Sequence, residues 1–354
     1  MSQPLRIGLA IPLQGPAGIF GPSCETVASL AAAQLNARRG ILDREVEIEV
    51  IDAGGPPEET QRAVIQAAQT GRIHALTGWH ISSVREHIAP ALVDFDIPYV
   101  YTSLHEGATT PGVLSTGETP AEQIAPGLSW LHGQLGIRRW AIVGSDYIWP
   151  RNSARAVRDF AHASGLDIVH ESFVRFGCRN FSRVLSAISA SNAEGVVMLL
   201  VGRDAVLFNR QFAAAGLQDR MIRFTPLMEE NMLLASGGDA TRDLYVAAAY
   251  FNSLATQSAL DFAGAYGAEF GYEAPALNNA AESCYEGVIA LAAAAEQARS
   301  IECRSMLAAA GKGVAYEGPR GPVVLSEAGT QQRVHLARAN GVEFEVLAWL
   351  GRTG

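Results

Sequence analysis

Leu5-Arg6-Ile7-Gly8-Leu9-Ala10-Ile11-Pro12 opens the chain with a short apolar run that a proline stops. A run this short and this continuously apolar reads as a strand buried on both faces. Similar runs return at Val46–Asp52, 73–78 and 98–101. Between them, amphipathic stretches at 24–38, 58–70 and 82–95 predict helices. Strands alternating with helices in this way predict a parallel sheet covered on both faces. A second series follows. Thr119-Pro120-Ala121-Glu122 carries an N-cap, a proline at the first helical position and a capping-box glutamate, so a helix is predicted to about residue 135. Strands are then expected at 140–144, 168–174, 195–201 and 221–225. Helices are expected at 152–164, 181–189 and 204–215, with Gly165 and Gly216 as stops. The end of the chain differs. After a strand at 245–251 and helices at 260–270 and 280–298, the segments 322–326, 333–338 and 342–349 read as a terminal antiparallel ribbon turning at Asn340-Gly341.

With 354 residues, the chain has the length of two domains at roughly 150 residues each. The hydrophobic fraction of 48% excludes disorder as the main state. The net charge is −9, Lys312 is the single lysine, and no basic stripe is present, which argues against direct nucleic-acid binding. The longest apolar stretches, 195–202 and 287–295, are far short of the roughly 18 residues of a membrane span, so no membrane insertion is expected. The first strand is too short for a secretory signal and lacks a small-residue cleavage site. The expected location of the chain as given is cytoplasmic, or periplasmic if an export signal has been removed. Cys24, Cys178, Cys284 and Cys303 fit no zinc spacing and read as reduced thiols.

Enzyme signatures do not appear, and neither a cofactor nor a metal is expected. The segment 311–313 lacks the rest of a phosphate loop. Gly15, Gly18 and Gly21 form GxxGxxG rather than a dinucleotide fingerprint, and read as a flexible loop entering a helix. His80, Ser82, Ser83 and His87 sit together in sequence, but no third group completes a triad. Glu229-Glu230 has two readings: a solvated helix start, or a ligand-facing carboxylate pair.

Ligands on open parallel sheets bind beyond the carboxyl ends of the strands. That rule selects Trp79, His80, Ser82 and Ser83 after the third strand and Tyr101, Thr102 and Ser103 after the fourth. In the second series it selects Tyr147 and Trp149, then Val201, then Met228, Glu229 and Glu230. Ser82 and Ser83 also open a helix, where unbonded N–H groups suit a carboxylate or carbonyl oxygen. Either serine could instead cap that helix. The aromatic residues suit the wall of a small-ligand pocket, or ordinary packing.

At these residues the chain resembles the type I periplasmic-binding-protein fold, in the branch of amide, urea and branched-chain amino-acid receptors. The most specific stretch is Gly144-Ser145-Asp146-Tyr147-Ile148-Trp149-Pro150-Arg151, with support from 78–85, 101–107, 225–230 and 318–323. The resemblance is strongest to amide-sensing regulators of amidase operons. It implies two α/β lobes, each a parallel-sheet sandwich, with hinge closure on a ligand in the cleft. The expected lobes are residues 1–117 with 252–320, and 118–251 with 321–354, crossing near 117, 251 and 320. The sensors have tyrosine where this chain has His80 and Trp149, which departs from a site shaped for acetamide. The resemblance implies a non-catalytic receptor for a short amide, urea or small amino acid. Two roles stay open. One is a cytoplasmic sensor that restrains an antiterminator controlling amidase expression. The other is the substrate-binding protein of an ABC importer, working with a permease. The fold also admits a homodimer.

Overall fold

The computed structural model describes residues 3–351. These residues divide into two compact units. The first holds the chain up to Gly117 together with Ala255–Gln332; the second holds Glu118–Leu254 and the chain from Arg333 onward.

In the first unit, β1 (Leu5–Ile11), α1 (Gly21–Asn36), β2 (Val46–Asp52), α2 (Pro57–Gln69), β3 (Ala75–Gly78), α3 (Ser82–Leu92), β4 (Tyr99–Tyr101) and β5 (Val113–Ser115) follow in order. Every neighbouring strand pair is parallel, in the order β2-β1-β3-β4-β5. Ile51, Leu76 and Tyr99 of the sheet pack with Val64 of α2 and with Val84, Ile88 and Leu92 of α3. Gly78 ends β3 at φ +133°, and a Cβ there would strike the carbonyl of Ala10. Glycine is what lets the two strand ends meet.

The second unit repeats the pattern with α4 (Pro120–Leu135), β6 (Arg139–Ser145), α5 (Ile148–Ser164), β7 (Asp167–Val174), α6 (Ser182–Ala190), β8 (Gly195–Leu199), α7 (Arg203–Ala214), β9 (Ile222–Thr225), α8 (Glu230–Ser236) and β10 (Leu244–Ala248). Its parallel part runs β7-β6-β8-β9-β10, the same relative order as in the first unit. The predicted start of α4 forms as read, with both bonds of the Thr119/Glu122 capping box present. Buried Glu118 accepts the N–H of Ala249 at 2.9 Å, which ties the chain's entry into this unit to its exit from β10.

The chain then returns to the first unit with α9 (Gln257–Phe270), α10 (Asn279–Ala298), α11 (Cys303–Ala310), β11 (Val314–Gly318) and β12 (Gly321–Leu325). It ends in the second unit with β13 (Val334–Asn340) and β14 (Glu343–Leu350), which extend that sheet antiparallel from β10. The expected three-stranded ribbon is therefore corrected. Its first segment pairs backwards with β11 as a separate two-stranded sheet. Burial alternates along both strands, fixing their register. The last division between units falls after Gln332, past the expected 320, and the middle one falls after Leu254, close to the expected 251.

Arg320, in the turn between β11 and β12, anchors this hairpin. Its side chain is 1% exposed. Its Nε lies 2.7 Å from Glu282 and its Nη2 2.8 Å from Glu286, both fully buried on α10. Removing one partner from a buried charge cluster leaves the others uncompensated, at about 3–5 kcal/mol. Arg320→Met is expected to lower unfolding free energy by about that amount. Urea denaturation checks this, and a loss below about 1 kcal/mol would remove Arg320 from its anchoring role.

Candidate functional site

Both sheets reverse strand order at the strand next to one edge, β1 in one unit and β6 in the other. At such a reversal the connections on either side depart in opposite directions and leave a crevice at the strands' carboxyl ends.

In the first unit His80 fills the position where β1 and β3 end. Its Nδ1 lies 2.9 Å from the carbonyl of Ala10, so Nδ1 carries the proton and donates. Its Nε2, 2.6 Å from the Tyr99 hydroxyl, then accepts. Burial holds the imidazole well below its ordinary range, at about 4, against the opposing pull of the Ala10 carbonyl. His80 is thus a neutral internal spacer. Both of its ring nitrogens are committed inward. Its main chain is bonded as tightly. The N–H donates to Ser103 Oγ at 2.8 Å, and the carbonyl accepts from Ser103 Oγ and from the Tyr101 hydroxyl, each at 2.8 Å.

This bonding fixes the start of α3. Ile81 takes the N-cap position and no side chain caps the helix, so neither serine plays the capping role. The N–H of Val84 bonds back to the Ile81 carbonyl at 2.9 Å, while the N–H groups of Ser82 and Ser83 have no intrahelical acceptor. Ser82 is buried and lies beside the Tyr101 phenol, whose pKa burial pushes up to about 12. Ser83 is half-buried. His87 is bonded through Nδ1 to the Ser83 carbonyl at 2.7 Å, which dissolves the apparent serine–histidine cluster. Trp79 is buried against Phe20, ring centroids 4.4 Å apart. Thr102 points away from these groups, toward α10, where a Cβ on Gly287 would touch it. The structure therefore gathers Ser82, Tyr101 and Ser103 and turns Thr102 aside. Sequence reasoning missed buried Arg85, which lies over the Tyr101 ring at 5.0 Å and pairs with buried Glu106 at 2.9 Å.

In the second unit Tyr147 is the N-cap residue of α5 and is half-buried. Its ring centroid is 6.4 Å from that of Trp149, which is only 3% exposed. Val201 is buried just before α7, and Met228 is buried with its sulfur 3.7 Å from Asn209 Nδ2. Glu229 is the N-cap of α8 and Glu230 its first residue. They do start a helix, but the solvated reading is wrong: their exposures are 2% and 8%. Glu230 accepts the N–H of Asn252 at 2.7 Å. Burial nevertheless pushes its carboxyl up to about 7, against the bonds from Asn252 and from its own N–H. Sequence reasoning also missed Phe176. The strand-end rule applied to β7 would have found it.

A family model described as periplasmic binding protein matches residues 4–341. The chain belongs to the periplasmic binding protein family. It is 24% identical to the Leu/Ile/Val-binding protein BraC3 of Rhizobium johnstonii over 200 residues, 54% of this chain and 53% of that protein. The match thus spans about half the length of that curated relative. Among solved structures, a solute-binding protein of an ABC transporter from R. palustris in complex with benzoate superposes with a TM-score of 0.87 at 17% identity, covering 99% of this chain and 97% of that one. LivJ from Streptococcus pneumoniae, a branched-chain amino acid transporter substrate-binding protein in complex with isoleucine, gives 0.84 at 16% identity, covering 97% and 99%. The two-lobed α/β fold of the family is the fold of this chain.

The Glu230 carboxyl is held above its ordinary 4.5, so the folded state binds more protons than the unfolded one between about 4.5 and 7. Its contribution to stability is fully present below that window and is lost as pH rises through it. Glu230→Gln keeps an acceptor for Asn252 and cannot ionise. It is expected to be more stable than wild type at pH 8, by on the order of 2–3 kcal/mol, with the difference vanishing near pH 4.5. Urea midpoints at the two pH values check this, and an equal difference at both would refute it.

Proposed function

We propose that this chain is the solute-binding protein of an ABC importer, taking up a small organic solute at the carboxyl-end loops of its two sheets. The observation that carries the proposal is the repeated strand order, with polar and aromatic side chains collected beside both reversals. Family membership supports binding rather than catalysis. The named relatives' printed functions favour the importer over the cytoplasmic sensor of amidase operons. On this reading the protein works in the periplasm and delivers its solute to a permease.

The groups describe the solute. The first turn of α3, with Ser82, Tyr101 and Ser103 beside it, suits a carboxylate or carbonyl oxygen. Tyr147 and Trp149 suit an apolar body. Glu229 and Glu230 suit an amine, provided one is ionised when the solute binds. An aliphatic amino acid carries all three kinds of group, and a short amide carries the first two.

Titration calorimetry with L-isoleucine, L-leucine, L-valine, benzoate, butyramide and urea tests the reading. One of these classes is expected to bind, and Tyr147→Ala is expected to weaken it by about tenfold or more with little change in melting temperature. Unchanged affinity in that variant would move the site elsewhere. Trp149→Ala is a poorer probe, because emptying so buried a position costs about 3–5 kcal/mol by itself.

A further inference from the structure

We propose that the loop joining β7 to α6, residues 175–181, forms a wall of the solute site in the second unit. Phe176 determines specificity there, and Asp204 is a positioning residue. The assignment rests on the receptor reading above and deepens it by naming the feature of the solute that is read.

Phe176 follows the carboxyl end of β7 directly, on the same sheet edge as Tyr147. Their ring centroids are 5.6 Å apart and their planes meet at 68°. Both residues are half-buried. Two rings set edge to face form a corner. A corner of this kind accepts a branched aliphatic group or a third ring, which meets one face and one edge.

The loop carries no regular secondary structure, yet α7 grips it along one side. Asp204 Oδ2 accepts the N–H of Gly177 at 2.7 Å. Seven residues on, two helical turns away and on the same face, Gln211 accepts the N–H of Phe181 at 2.8 Å and donates to the carbonyl of Arg179 at 2.9 Å. Asp204 is fully buried, and an ionised carboxylate is costly there. Its bond goes to the amide of Gly177, which directly follows Phe176. Gly177 adopts φ +85°, a turn that swings the chain from Phe176 down onto the carboxylate. The grip holds the Phe176 ring against Tyr147 before any solute arrives.

The test uses the full chain and one head-group pair that wild type binds: isoleucine with alanine, benzoate with acetate, or butyramide with acetamide. Phe176→Ala is expected to weaken the bulky member by about tenfold and the small member by less than about threefold. Asp204→Ala is expected to reproduce that loss of selectivity and to speed hydrogen exchange of the amides at 177–181 in the unliganded protein. Asp204→Asn, which keeps an acceptor for Gly177, is expected to restore both. Equal weakening of both members by Phe176→Ala, or no weakening, overturns the assignment. So does an Asp204→Ala protein that melts as wild type does and keeps wild-type selectivity. If wild type binds no member of any pair, the receptor reading itself fails, and the specificity assignment falls with it. The exchange experiment still reports whether Asp204 holds the loop, which separates the two failures.

Discussion

Parallel strands can be joined only by crossovers that pass over the faces of the sheet, so every connection leaving a strand's carboxyl end must enter a helix or turn on that edge. Where strand order reverses, successive crossovers go to opposite faces and the edge between them stays open. The two sheets of this protein share the relative order 2-1-3-4-5, so each has one such edge, at β1/β3 and at β6/β8. Ser82, Tyr101 and Ser103 in one unit, and Tyr147, Trp149 and Val201 in the other, stand where they do because of that constraint.

Local chemistry then makes the edges precise. In the first unit a neutral histidine fastens β1 to β4 through Ala10 and Tyr99, while its main chain is bonded by Ser103 and Tyr101. A charged imidazole could not accept from Tyr99, so the low acidity range that burial imposes on His80 is part of the architecture. In the second unit acids do the equivalent work. Glu118 holds Ala249, Asp204 holds Gly177 and Glu230 holds Asn252, each a buried carboxylate on a main-chain amide. These bonds hold the loop ends on the sheet.

Much of this was legible in the sequence. The capping box at Thr119, the glycine stops at Gly165 and Gly216 and the apolar strand runs are local signals, and the structure contains them as read. The pairing of β12 was not legible, because strand partners are chosen by distant burial and by the Arg320 anchor rather than by order along the chain. Strand-end loops could be picked out by rule, but side-chain direction could not. Thr102 and Ser103 are neighbours in one loop, yet one faces α10 and the other faces His80. His80 looked like a ligand group because its partners, Ala10 and Tyr99, are 70 and 19 residues away. Glu229 and Glu230 kept two readings, solvated helix start or ligand-facing pair, because two adjacent acids usually lie in water; burial excludes the first.

On the proposed reading these strand-end loops, and no other surface, take up the solute. Backbone amide chemical-shift mapping, with and without the solute that calorimetry identifies, tests it most directly. The expected result is concerted shifts at 79–83 and 101–106 in the first unit and at 145–149 and 227–230 in the second. Shifts confined to another surface, such as the groove lined by Gln34, Phe262, Tyr285 and Glu296 on α1, α9 and α10, would contradict it.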